Sequence, residues 1–290
     1  MIQLIALFVG LLSLSVYAAP ATQPLENYTL DYNTPLDPGL QKQVEAIDSK
    51  LREKLGIKPE ETNVGVLDLN NLRLALIHPD HEEYAASVAK VGILLAYFQL
   101  HPEAATNLDP TVANELGMMA KASNNEMASK YSHLLGLKNI QAVLDLPQYH
   151  FYDKDHGGGI WVGKHYGKGT ERYGSPVGDN SHAATVRQLI RYFLMLEQGK
   201  LVSLEASNKM REIFASPDIP HDDIKFVKGL KGRDVQIIRK WGTWENWLHD
   251  CAVVNGGGRH YIIVAMTNTP RGDDYLEALA PAVDDLMSKK

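Results

Sequence analysis

The sequence predicts an α/β fold of the α+β kind: a five-stranded antiparallel sheet flanked by terminal helices, with a helical subdomain inserted after the second strand. Three observations point there. Two strand-like runs lie near the amino end, at residues 64–69 and 72–77. Three more lie near the carboxyl end, at 235–241, 249–255 and 260–267. Between them, from Ser87 to about Phe214, the apolar pattern turns helical. Terminal runs joined by short turns pair most simply into one sheet, so the helical middle packs beside it and leaves a cleft between.

Residues 1–18 read as a secretion signal, because 2–16 are almost wholly apolar and Val16-Tyr17-Ala18 meets the small-residue rule for a cleavage site. The alternative, an uncleaved membrane anchor, requires about 20 apolar residues, more than this stretch contains. Residues 19–290 are the expected mature domain, with its α/β part at 36–86 plus 225–290 and its helical part at 87–224. Asp37-Pro38 opens a helix whose apolar Leu40, Val44, Ile47, Leu51 and Leu55 follow helical spacing, and Gly56 closes it. Asn70-Asn71 tolerates positive φ and joins the first two strands. The best helical candidates that follow are 88–100, 112–122, 125–135 and 185–198. Residues 149–180, with Gly157-Gly158-Gly159, read as one extended loop, of a length that is usually functional or disordered. Gly256-Gly257-Gly258 joins the last two strands, and a final helix carries Leu276, Leu279, Val283 and Leu286 on one face, with Pro281 interrupting its pattern.

With 44% hydrophobic residues in 290, the chain can bury a substantial core. Its net charge of −6 and lack of a long basic run argue against a nucleic-acid partner. Cys251 is the only cysteine, so there is no internal disulfide; its apolar setting, Cys251-Ala252-Val253-Val254, marks a buried structural thiol. The expected protein is a periplasmic or secreted monomer, free of the membrane once the signal is cleaved.

Three short strings carry chemistry. Ser87-Val88-Ala89-Lys90 precedes an apolar run, Val91-Gly92-Ile93-Leu94-Leu95, which places Ser87 in the first turn of a buried helix. There the helix dipole stabilises a developing alkoxide, and unpaired N–H groups are free to bind an oxyanion. Residues i and i+3 share a helix face, so Lys90 points the same way and accepts the serine proton if burial lowers its pKa. Ser123-Asn124-Asn125 sits between helical stretches and by itself reads as a helix N-cap. Its chemical reading makes Ser123 a proton relay and Asn125 a ligand for a substrate amide. Lys240-Trp241-Gly242-Thr243 lies on a predicted strand, where alternation sends Lys240 and Gly242 to one face. Gly242 admits a ligand close to the backbone, Thr243 N–H offers an oxyanion donor, and Lys240 attracts a carboxylate.

In order and placement these strings resemble the S-x-x-K, S-D-N and K-T-G signature of the penicillin-recognising serine hydrolases, closest to class A β-lactamase-like proteins and including penicillin-binding proteins. The resemblance spans roughly residues 40–290 and includes Met118-Met119-Ala120-Lys121 ahead of Ser123. It implies that Ser87 is the acylated nucleophile, Lys90 its base and Ser123 the proton shuttle. It further implies that Asn125 binds substrate and that Lys240, Gly242 and Thr243 form the anion-binding strand.

The chain departs from that pattern in four ways. Ser87 and Ser123 are closer in sequence than in typical class A enzymes, which implies a more open cleft. Asn124 stands where Asp is usual. Trp241 replaces a small hydroxyl residue that helps bind the substrate carboxylate, a role the Thr243 hydroxyl is placed to take. No glutamate motif for deacylation is legible; Asp153, Asp155 and Glu171 are the carboxylates of the long loop, with Glu171 the candidate base.

The implied activity is that of a secreted serine hydrolase acting through an acyl-enzyme on β-lactam, amide or ester substrates. One alternative is a D-Ala-D-Ala carboxypeptidase or penicillin-binding protein acting on cell-wall peptides. Another is a non-catalytic protein that recognises peptidoglycan or a partner through residues 157–163 and 241–247. No cofactor or metal is expected, since His150, Asp153, Asp155 and His156 match no standard zinc spacing. His182 reads as part of the start of the Thr185 helix rather than as a triad member. The absence of G-x-S-x-G disfavours an α/β-hydrolase.

Overall fold

The computed structural model describes residues 24–167 and 171–288, so the expected signal segment lies outside the described residues. In chain order the elements are α1 (Pro38–Leu55), β1 (Thr62–Asp68), β2 (Arg73–Ile77), β3 (Glu83–Tyr84), α2 (Lys90–Leu100), α3 (Pro110–Ala120), α4 (Asn125–Leu135), α5 (Leu137–Leu144), β4 (Tyr152–Asp153), β5 (Gly158–Gly159), β6 (Trp161–Val162), β7 (His182–Ala184), α6 (Val186–Glu197), α7 (Leu204–Ala215), α8 (Lys225–Gly229), β8 (Gln236–Trp244), β9 (Trp247–Gly256), β10 (Arg259–Asn268) and α9 (Gly272–Met287). Among the described residues, no helix is long and apolar enough to cross a membrane.

The five long strands form one antiparallel sheet in the order β2-β1-β10-β9-β8. The first hairpin and the last meander therefore meet at β1 and β10, with Val64 opposite Ala265 and Val66 opposite Ile263. Alternation along the buried strands divides their side chains between two cores. Val64, Val66, Ala252, Val254, Ile263 and Ala265 pack with Leu40 and Val44 of α1 and Leu276 and Val283 of α9. Leu67, Cys251, Val253, Ile262 and Val264 pack on the other side with α2 and α6. Gly65 permits that second contact. A Cβ there would come within 2.4 Å of Ile190 and 2.6 Å of Val186 on α6.

Local chemistry sets the element ends. Asp37 accepts a hydrogen bond from Leu40 N at 2.7 Å, Pro38 starts α1, and Gly56 ends it in the left-handed region at φ 69°. The first hairpin turns differently from the expectation. Asp68 Oδ1 accepts from the backbone N–H groups of Asn70 and Asn71, and the positive φ falls on Leu72 instead. The triple-glycine turn holds, with positive φ at Gly256, Gly257 and Gly258. α9 runs unbroken past Pro281. Proline leaves the Glu277 carbonyl without its usual donor, and Gly229 of α8 packs at this point, where a Cβ would lie 2.3 Å from that oxygen.

Segment 149–180 is more ordered than a loop reading implies. β4 pairs with β5, and β6 with β7, which in turn pairs with β3 ahead of Ser87. Glu82 anchors the segment by accepting hydrogen bonds from Tyr152 Oη (2.9 Å), Gly178 N (3.1 Å), Asn180 Nδ2 (3.1 Å) and Ser175 Oγ. This brings β7 and residues 164–167 to one side of the Ser87 turn.

Candidate active site

Ser87 precedes the α-helix rather than lying in it. Ala86–Ala89 form a 3₁₀ turn, and α2 begins at Lys90. Ala86 sits at φ 46°, a conformation a non-glycine residue holds only when its surroundings impose it. β8 supplies part of that constraint. A Cβ on Gly242 would stand 2.8 Å from Ala85 O and 3.1 Å from Ser87 N, so only glycine lets the strand lie this close. Ser87 is half-buried and opens onto a cleft of about 330 Å³ that Asn125, Lys164, Tyr166, His182 and Thr243 also line.

α2 is buried on every side from Lys90 to Phe98, so the Lys90 amine is driven into the interior. Nζ donates to Ser123 O at 2.6 Å and to Asn125 Oδ1 at 2.7 Å, with a longer contact to Ser123 Oγ at 3.5 Å. None of these bonds goes to Ser87, contrary to the simple i, i+3 expectation. Two carbonyl oxygens are better acceptors than a hydroxyl and direct the amine toward them. Burial pushes the Lys90 pKa down to about 7. Lys240 Nζ also reaches this serine, donating to Ser123 Oγ and to Trp241 O, both at 2.8 Å. Burial, and then the neighbouring Lys90, hold Lys240 well below its ordinary range. Ser123, 8% exposed and at φ 60°, thus lies between two buried amines. The strings around Ser87, Ser123 and Lys240, remote in sequence, meet at one place.

The Beta-lactamase enzyme family matches residues 102–286. The chain belongs to this β-lactamase family. Among curated proteins none matches it by sequence. Its fold is similar to that of a β-lactamase from Sphaerobacter thermophilus (TM-score 0.67, 13% identity, covering 85% of this chain and 97% of that one). It is also similar to PBP-A (0.65, 16%, 90% and 100%) and to the extended-spectrum β-lactamase TLA-1 (0.65, 11%, 86% and 100%).

On this β-lactamase fold, Asn124 caps α4 by accepting from Met127 N at 2.9 Å, so the N-cap reading of this string and its place in the site coexist. Thr243 lies exposed at the cleft, and its hydroxyl accepts from Lys225 Nζ at 2.6 Å. Lys225 escaped the sequence reading, since no motif surrounds it. Its buried ammonium also donates to Gly242 O at 2.6 Å and His249 O at 3.3 Å, and lies 3.8 Å from Asp273. Burial is the largest influence that pushes it down to about 8. Trp241 is flanked by Lys225 and Lys240, each Nζ 5.1 Å from its ring. Cys251 is fully buried opposite Lys240, and its Sγ donates to Lys240 O at 2.9 Å.

The long segment requires three corrections or placements. His182 lies on strand β7 rather than at the start of a helix, and it lines the cleft. Glu171 is not among the residues that line the cleft. It accepts from Tyr173 Oη and approaches His165 Nε2 at 3.7 Å. His150 and His156 both bond to Asp153 Oδ2, at 3.1 and 2.8 Å, while Asp153 Oδ1 accepts from Asp155 N at 3.0 Å. Tyr166, His165 and Lys164 complete the cleft on this side; a glycine- and aromatic-rich stretch signals only an irregular segment, not which ring turns inward.

Proposed function

We propose that the protein is a serine hydrolase that forms an acyl-enzyme on Ser87 with a β-lactam, amide or ester substrate bearing a carboxylate. The bonding of Lys90 carries this reading. A neutral lysine amine has two hydrogens and one lone pair. Ser123 O and Asn125 Oδ1 take the two hydrogens, and burial favours the neutral form near pH 7. The lone pair is left for the Ser87 proton.

In the first step Ser87 Oγ bonds to the substrate carbonyl carbon as its proton passes to Lys90 Nζ. Charge collects on the carbonyl oxygen, which faces the N–H groups of Ser87 and Thr243. Collapse of the adduct breaks the bond to the leaving nitrogen or oxygen, which takes a proton from Ser123 Oγ; Lys90 returns that proton. A substrate carboxylate near Thr243 gives Lys240 and Lys225 the counter-charge that their burial otherwise denies them. The apolar stretch at residues 2–16 supports an activity outside the cytoplasm.

A second reading, a penicillin-binding protein or D-Ala-D-Ala carboxypeptidase, rests on one observation. Among the described residues that line the cleft, none is Asp or Glu, so no carboxylate is at hand to activate water against the acyl group. Intact-mass measurement after incubation with benzylpenicillin and with an activated ester tests both readings. A transient adduct with turnover of a chromogenic cephalosporin supports the β-lactamase, and a persistent adduct supports the penicillin-binding protein. No adduct with any probe ends the covalent reading in favour of a non-catalytic binding protein.

A further inference from the structure

Tyr166 occupies a place that no motif assigns. It is buried, its hydroxyl donates to Ala86 O at 2.9 Å, and the Lys90 amine stands 4.6 Å from the centre of its ring. The His182 imidazole stacks on the same ring at 4.3 Å and 4°. Two groups this close cannot share one face, so Lys90 and His182 lie on opposite faces of Tyr166. We propose that Tyr166 is a positioning residue for acylation: its ring walls the Lys90 amine off from water, while its hydroxyl pins the strained turn that presents Ser87. The inference rests on the acylation reading above and deepens it.

The chemistry of each contact supports the assignment. Ala86 at φ 46° needs its surroundings to hold it, and the Tyr166 hydroxyl bonds its carbonyl directly. Full burial keeps the phenol protonated and therefore a donor. The groups that face Lys90 are Ser123 and Asn125 from the start of α4, Lys240 from β8, His182 from β7, and Tyr166 itself. None of them is negative. His182 is kept neutral, pushed down to about 3 by burial and then by Lys90 and Lys164, and its buried Nδ1 has no partner among the described residues. A ring face attracts an ammonium, yet the same ring displaces waters that would solvate it better, so its net effect favours the free amine.

The test is a pH titration of the full chain carrying lysine labelled with ¹³C at Cε, with Lys90→Met used to assign the Lys90 signal. The wild-type midpoint should lie at about 7. In Tyr166→Ala, or in Tyr166→Leu should the alanine variant not fold, water reaches the amine and the midpoint should rise by at least about one pH unit. Tyr166→Phe keeps the ring and should keep the wild-type midpoint, while benzylpenicillin acylation slows about tenfold at every pH for want of one hydrogen bond. An unchanged midpoint on loss of the ring, or an equal rise in Tyr166→Phe, would overturn the proposal. A wild-type chain that forms no adduct would defeat the acylation reading, and the titration would still decide what the ring does.

Discussion

The two sides of the cleft treat charge in opposite ways. On the β8 side, Lys240 and Lys225 are buried and braced by carbonyl and hydroxyl oxygens, flanking the Trp241 ring. On the loop side, Tyr166 and His182 stack as neutral rings, and His165 is fixed by a 2.9 Å bond between Nδ1 and Ser132 Oγ. The first side carries the two amines to which the proposal gives anion binding. The second, where a class A enzyme would carry its water-activating glutamate, turns aromatic surface inward. On the proposed mechanism the contrast separates the two halves of the reaction: the groups proposed to form an acyl-enzyme meet at the cleft, and no carboxylate to break it is among the described residues that line it.

The largest effects should come from the junction of the two sides. Ser87→Ala should abolish the covalent adduct, and Lys90→Met should slow its formation by about 10²–10⁴-fold, the range for removing a general base. Stopped-flow acylation checks this. Because Lys90 must be neutral to accept the proton, the wild-type rate should climb as pH rises through about 7 and vanish in acid. Lys225 must be protonated to hold an anion, so affinity for a carboxylate-bearing probe should weaken as pH rises through about 8. Opposed limbs of this kind, one in rate and one in affinity, are the signature of two lysines with different tasks.

Gly242→Ala tests how closely the sides must approach. The new methyl would meet Ala85 O at 2.8 Å and Ser87 N at 3.1 Å, and backbone at both contacts leaves β8 to yield. A displacement approaching 1 Å costs on the order of 10² in rate, so acylation should fall by about that factor while the fold persists. Lys225→Met should act more gently, raising the concentration of anionic probe required by about tenfold, near the lower end for a hydrogen bond to a charged group. An equal loss with a neutral probe would mean that Lys225 merely supports β8.

Legibility in the sequence follows the range of the forces involved. α1 was readable because Asp37, Pro38 and Gly56 fix its ends locally, and the five strands because each alternates or runs apolar between turn residues. α5 was missed although Leu137, Ile140, Val143 and Leu144 follow helical spacing. Gly136 joins it to α4 with no capping side chain, so no polar residue announces a new start. α7 and the five-residue α8 were missed too, and β4 to β7 are two or three residues long, below any periodic signal. That Ser87, Lys90, Ser123, Asn125, Lys240, Gly242 and Thr243 come together in space was legible because each sits in a string. Lys225 and Tyr166 were not, because tertiary packing alone brings them there.

The smallest expected effect is the most discriminating for the loop side. Glu171 is the candidate deacylating base among the loop carboxylates, none of which lies in a legible glutamate motif, yet its contacts are Tyr173 and His165, and it does not border the cleft. An exposed carboxylate paired with an imidazole at 3.7 Å contributes little, of the order of 0–1 kcal/mol. Glu171→Gln should therefore change the lifetime of the Ser87 adduct by less than about twofold, given so weak a pairing. The measurement is the decay of the adduct mass after excess penicillin is removed. A lifetime lengthened a hundredfold would show that Glu171 reaches the acyl group in the reacting complex, and the contrast between the two sides of the cleft would collapse.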